Sequence, residues 1–187
     1  MLEPLYTADE MRAAEAGHDV DAMMERAGRA VAEAVLERYP SARRIACVCG
    51  GGANGGDGRI AARILREAGR DAREELFDGA DVVVDALFGT GFHGEPRPEA
   101  AALVERMAGA PVVAVDVPSG VDASTGEVAG AAVRTAATGG SRRACCVRRG
   151  ATRGRSSSRA RIWWWTRSSE PGSTGSRGPR RRRSSSR

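Results

Sequence analysis

Five oxygen-bearing side chains, Asn54, Asp57, Asp85, Asp116 and Ser119, stand in or just after apolar runs and beside glycines. Amide, carboxylate and hydroxyl oxygens suit a hard cation, and a carboxylate can also carry a proton. The first stretch, Gly50 to Gly58, holds six glycines in nine residues and contains Asn54-Gly55-Gly56-Asp57-Gly58. Bare backbone N–H groups at a helix start can approach a phosphate. Gly50-x-Gly52-x-x-Gly55 fits the dinucleotide fingerprint by spacing, a weak signal alone. A carboxylate in the first helical turn would repel a pyrophosphate lying there. The stretch therefore reads as oxygen ligands and a proton carrier placed beside phosphate contacts. The second stretch runs from Asp85 into Gly89-Thr90-Gly91-Phe92-His93-Gly94-Glu95, and the third is Asp116-Val117-Pro118-Ser119-Gly120.

The elements that must position these residues are legible from periodicity. Thr7-x-x-Glu10 is a capping-box signature for a short helix through about Ala16. A second helix follows Asp21, with Met24, Ala27, Val31 and Val35 at helical spacing, and Tyr39-Pro40 ends it. Gly28 inside it predicts a close helix contact. Ile45 to Cys49 reads as a strand, Arg59 to Ala68 as the next helix, and Arg73 to Phe77 as a second strand. Val82 to Phe88 and Pro111 to Val117 are apolar runs of the kind buried on both faces of a sheet, with a helix over Pro98 to Ala108 between them. Strands alternating with helices predict an α/β fold with a mostly parallel, doubly wound sheet. In such sheets ligands bind outside the carboxyl ends of the strands, so the three glycine-rich stretches are expected at one crevice.

Composition divides the chain of 187 residues into two parts. Residues 1–138 carry a net charge of −9 and residues 139–187 a net charge of +14. The second part holds 11 of the 14 serines and, of the aliphatic set, only Val147 and Ile162. It cannot bury enough apolar surface to offset its ordering entropy and is expected to be disordered. Every basic residue is arginine. The amino terminus lacks the basic and apolar regions of a signal peptide, and no apolar run approaches the roughly 18 residues needed to span a bilayer. With His18 and His93 as the only histidines, Cys47, Cys49, Cys145 and Cys146 show no zinc spacing. Reduced thiols in a cytoplasmic protein are the expectation.

Three ordered motifs, Asn54-Gly-Gly-Asp-Gly, Val84-Asp-Ala-Leu-Phe-Gly-Thr-Gly and Asp116-Val-Pro-Ser-Gly-Val-Asp-x-x-Thr-Gly, resemble those of the NAD(P)H-hydrate epimerases. Met23-Met24-Glu25-Arg26-Ala27-Gly28 is similar to that family's amino-terminal helix, and the likeness runs from about residue 6 to residue 138. The resemblance implies a Rossmann-like three-layer α/β/α domain, a homodimer, and interconversion of the R and S forms of NADHX and NADPHX, the hydrated cofactors. It implies a partner dehydratase, dependent on ATP or ADP, that consumes the S form. By position, Ala53, Asn54, Gly55, Gly56 and Asp57 would contact substrate, and Gly89, Thr90, Gly91, Phe92, His93, Gly94 and Glu95 would hold its phosphates and ribose. Asp116 would meet the reacting end. Asn54, Asp85 and Ser119 would ligate one potassium ion per subunit. Ala53 departs from the pattern, because the family commonly has a second Asn there.

The implied reaction asks little of a protein. A hydroxyl beside a ring nitrogen leaves as the nitrogen lone pair pushes, and water returns to either face of the planar centre. One group must assist departure and guide return. Asp116 is the first candidate for this proton shuttle and Asp57 the second; His93 is a weaker one. Two other readings remain open from residues alone. The glycine fingerprint with Glu75 twenty residues on suits a nicotinamide-dependent oxidoreductase, and the basic segment taken at face value suits an inactive fragment with a nucleic-acid-binding arm.

The basic segment has a simpler origin in codon arithmetic. Trp163-Trp164-Trp165 is encoded by TGGTGGTGG, and reading from each third base gives Val-Val, then Asp with the AC of Thr166. The preceding codon becomes Leu or Met, and the codon spanning Cys145-Cys146 becomes Leu. The shifted frame thus reads as buried strand where the written frame places three tryptophans. A frame break between about Thr135 and Arg142 is expected, leaving the final strands of the sheet missing or scrambled.

Overall fold

The computed structural model describes Ala13, residues 19–133, residues 145–147 and residues 162–164. The helix expected over residues 7–16 lies outside them apart from Ala13, which is helical. Helix α1 spans Val20–Arg38. Asp19 starts it, its carboxylate accepting from the amides of Asp21 and Ala22 at 3.0 and 3.1 Å, which satisfies two donors that no helical carbonyl can reach. Tyr39 ends it ahead of Pro40. Strand β1 is Arg44–Cys49, helix α2 Ala53–Glu67, strand β2 Asp71–Arg73 and strand β3 Val82–Ala86. Helix α3 covers Pro98–Met107, followed by β4 at Val112–Val115, β5 at Cys145–Val147 and β6 at Ile162–Trp164.

The strands form one sheet in the order β2-β1-β3-β4-β5-β6. Pairing is parallel as far as β5, which sets Val48 beside Asp85 and Asp85 beside Ala114. The outermost pair, β5 with β6, is antiparallel. The chain leaves β1 toward β2 on one side and returns to β3 on the other, so the topological switch point lies between the carboxyl ends of β1 and β3. Alternate residues of β1, β3 and β4 supply two cores. Ile45, Cys47, Val82, Val84, Val113 and Val115 pack with α1 and α2; Ala46, Val48, Val83 and Val112 pack with Val104 and Met107 of α3. Apolar faces on both sides of the sheet need covering helices on both sides, which makes three layers.

Three details depart from the periodicity. Strand β2 ends at Arg73, where the expected strand over Arg73 to Phe77 would begin, because its register with β1 sets Ala72 beside Ile45. Helix α2 starts at Ala53 rather than Arg59, so the Asn-Gly-Gly-Asp-Gly run is helical. Glycine in a helix costs about 1 kcal/mol relative to alanine, which hid this turn from the pattern. Tertiary contact overrides it: a Cβ on Gly55 would collide with the carbonyl of Gly50. The same need shows at Gly28, where a Cβ would come within 2.5 Å of Ile60. Strand β3 stops at Ala86, two residues short of the apolar run, which releases Leu87 and Phe88 from the ladder. Strands β5 and β6 fall inside the segment expected to be disordered. Each is three residues long, and β5 covers the edge that β4 would otherwise leave open.

Candidate active site

The carboxyl ends of β1, β3 and β4 bring Asn54, Asp85 and Ser119 into one hydrogen-bonded group. Asp85 is the fourth residue of β3 and completely buried. Its Oδ1 accepts from the Ser119 hydroxyl at 2.6 Å and its Oδ2 from the Ser119 amide at 2.8 Å. The Leu87 amide also donates to Oδ1, at 3.3 Å. Burial pushes the Asp85 carboxyl up to about 6, and these three donors act against that rise. The Ser119 hydroxyl in turn accepts from the Phe88 amide at 2.9 Å. The Phe88 carbonyl accepts from the Asn54 amide group at 2.8 Å. Phe88 is thus held through both its N–H and its carbonyl, and the three side chains are linked through it.

Asn54 Nδ2 also approaches the carbonyl of Val115, the last residue of β4, at 3.5 Å. Its Oδ1 is buried and has no hydrogen-bond partner among the described residues. A buried acceptor without a donor is costly, and here it sits in the group that contains a buried carboxylate and a hydroxyl. That donor set, all oxygen, fits a hard cation. No cluster of three or more His, Cys, Asp or Glu side chains suited to a metal occurs among the described residues.

Asp57 lies one turn after Asn54 and is completely buried. Because α2 begins early, Asp57 is the fifth helical residue, and the first turn holds no acidic side chain. The expected repulsion of a pyrophosphate by a first-turn carboxylate therefore does not apply. Ala53, the first helical residue, is exposed, Gly55 is buried and Gly56 partly so. Asp116 follows β4 directly and has φ of 62°, the only non-glycine residue with positive φ among the described residues. Such backbone costs an L-residue about 1–2 kcal/mol, and this kind of strain gathers at functional positions.

The stretch from Gly89 to Glu95 forms the loop between β3 and α3. Gly89 lies against the side chain of Asn54, 3.2 Å from where a Cβ would sit. Phe92 stacks on Phe88 with ring centroids 4.4 Å apart. Thr90 is half-buried, whereas Gly91, His93, Gly94 and Glu95 are exposed. His93 Nδ1 lies 2.7 Å from Asp122 Oδ2. Asp122 also accepts from the amides of Ser124 and Thr125. These bonds, with the His93 bond foremost, draw its carboxyl down to about 2.

Residue types alone did not single out Phe88 or Asp122. Phe88 acts through its backbone, which an apolar run conceals. Asp122 stood within a quoted motif, and its position two residues before Ser124 in Asp-x-x-Thr-Gly was the available signal for a side chain that caps a turn. Glu75, whose spacing from the glycine fingerprint suited the oxidoreductase reading, is exposed beyond the end of β2. A cleft of about 180 Å³ lies at the opposite, amino ends of β3 and β4 between Phe77, Val83 and Arg106, away from this group.

A parallel doubly wound sheet with a buried polar group at its switch point defines a protein of the Rossmann-like α/β class. A crystal structure of the yeast protein ynu0 shares that fold, with a TM-score of 0.60 at 19% identity over 78% of this chain and 88% of the yeast chain. The family described as YjeF-related protein N-terminus matches residues 20–74 and 70–139. The NAD(P)H-hydrate epimerase of Limosilactobacillus fermentum is 36% identical over 177 residues, covering 74% of this chain and 85% of that protein. The bifunctional NAD(P)H-hydrate repair enzyme Nnr of Pyrobaculum aerophilum is 43% identical over 157 residues, covering 62% of this chain. This chain belongs to the YjeF-related N-terminal family. It spans 31% of the length of the Pyrobaculum enzyme.

Proposed function

We propose that this chain is an isomerase that interconverts the R and S epimers of NADHX and NADPHX at C6 of the hydrated nicotinamide ring. The observation that carries the reading is the linked group Asn54–Phe88–Ser119–Asp85 at the switch point, beside the strained Asp116. A relative named NAD(P)H-hydrate epimerase, aligned over most of its length, supports it. In the reaction the C6–O bond breaks as the ring nitrogen donates its lone pair, and the departing oxygen takes a proton to leave as water. Water then adds to either face of the planar iminium carbon and loses a proton. The protein must hold the ring, supply the first proton and accept the second.

Asp116 is the proposed shuttle, since it lies at the end of β4 next to the Val115 carbonyl that Asn54 approaches. Asp57, one turn beyond Asn54, is the alternative. The start of α2, exposed at Ala53, and the loop from Gly89 to Glu95 would take the dinucleotide's polar parts through backbone donors. Asn54, Asp85 and Ser119 would hold a potassium ion, whose charge would offset that of the buried Asp85 carboxylate. Relatives named as bifunctional repair enzymes fit an epimerase that works beside a second repair activity, for which an ATP- or ADP-dependent dehydratase is the natural consumer of one epimer. A cytoplasmic homodimer is the expected form. No helix among the described residues is long and apolar enough to cross a membrane.

Mixing the purified protein with one NADHX epimer, in potassium buffer without ATP, tests the reading. Chromatography should show relaxation to the epimer mixture faster than the spontaneous rate. A folded protein that leaves the rate unchanged, or that transfers hydride to an acceptor instead, refutes it.

A further inference from the structure

The loop from Gly89 to Glu95 is fixed at its root, because Phe88 is held by Asn54 and Ser119. Its far part needs a separate tether. Gly89, Gly91 and Gly94 give the backbone wide freedom, and Gly94 has φ of 74°. The segment after β4 supplies a tether. There Asp122 is anchored in its own turn, its amide donating to the Glu127 carbonyl and its carbonyl accepting from the Gly126 amide. One carboxylate oxygen caps the turn at Ser124 and Thr125. The other faces His93 at 2.7 Å. An ionised carboxylate can only accept, so His93 Nδ1 carries the proton of this bond. Beside it, Glu95 lies over Gly130, where a Cβ would sit 2.9 Å from the Glu95 side chain.

We propose that Asp122 and His93 form a latch that docks the far part of the Gly89–Glu95 loop onto the segment after β4, presetting the surface that receives the dinucleotide. The role of this loop in binding rests on the epimerase reading above. Both residues are positioning residues: the latch orders the loop before substrate arrives, which lowers the ordering cost of binding. His93 itself moves no proton in the reaction.

Four variants of the full chain test the latch, His93→Ala, His93→Asn, Asp122→Ala and the double alanine. Asn at position 93 can place an amide N–H near the former Nδ1. In epimerase assays His93→Ala should raise KM by about three- to tenfold while kcat changes less than twofold. His93→Asn should recover most of that loss, and the double variant should be no worse than Asp122→Ala. Hydrogen–deuterium exchange without substrate should show faster exchange at residues 89–95 in His93→Ala, with the strands unchanged. A fall in kcat at constant KM would overturn the latch in favour of direct catalysis by His93. Unchanged exchange at 89–95 would overturn it outright. If the parent protein has no epimerase activity the function fails, and the exchange data still decide the latch.

Discussion

Asp85→Asn should change how stability depends on pH, and the sign follows from burial. The Asp85 carboxyl titrates at about 6 in the fold against 3.8 for the free side chain, a difference of about 2 pH units. At 1.36 kcal/mol per unit this amounts to roughly 3 kcal/mol. Between pH 4 and 6 the folded state binds more protons at Asp85 than the unfolded state does. Stability from this group is therefore greatest below pH 4, falls as pH rises toward 6, and then levels. Asp122 titrates near 2, so its effect lies below this window and has the opposite slope. Asn at position 85 carries no charge and removes the pH-dependent penalty. It also cannot accept all three bonds from Ser119 and Leu87, which costs about 1–3 kcal/mol at every pH. Relative to the parent, the variant should gain about 3 kcal/mol between pH 4 and 7, or roughly 6–12 °C in melting temperature. The assay is a pair of melting curves at five pH values in buffer free of potassium. Potassium should then stabilise the parent more at pH 7.5 than at pH 4.5, and stabilise the variant less and equally at both, since Asn offers a neutral oxygen in place of the carboxylate. A constant difference between parent and variant across the window would refute the buried-carboxylate argument. A potassium response that is undiminished in Asp85→Asn would refute the cation site.

Asp116→Gly should remove epimerase activity while keeping or slightly raising stability. Relief of the left-handed backbone, about 1–2 kcal/mol, outweighs the added unfolded-state freedom of glycine, about 0.5–1 kcal/mol. Asp116→Asn should lose activity with an unchanged melting temperature, and near-normal turnover in that variant would move the shuttle to Asp57. Resequencing the coding DNA should reveal a frame break between about Thr135 and Arg142, and restoring the frame should raise the melting temperature. An unbroken frame through Arg187, with a stable protein of the written mass, would refute that.

The three central strands and the glycine-rich stretches that follow them were legible in the chain itself, whereas β2, expected at Arg73 to Phe77, ends at Arg73, and β5 and β6 fall where disorder was expected. Continuous apolar runs such as Val82 to Ala86 suit burial on both faces, and each runs into a glycine-rich stretch bearing an oxygen side chain. Topology then follows, since parallel strands must place those stretches at one end of the sheet. Local patterns could not reveal what depended on partners distant in sequence. Helix α2 reaches back to Ala53 because Gly55 can press against Gly50, an energy absent from any propensity scale. Phe88 joins the site through its peptide group, whose partners Asn54 and Ser119 lie 34 and 31 residues away. The strain at Asp116 and the pairing of His93 with Asp122 likewise exist only once β4 is docked. Residue type prescribes which groups are present; the docked sheet decides which of them find each other, because a hydrogen bond acts over a few ångströms and the chain between its ends carries no record of it.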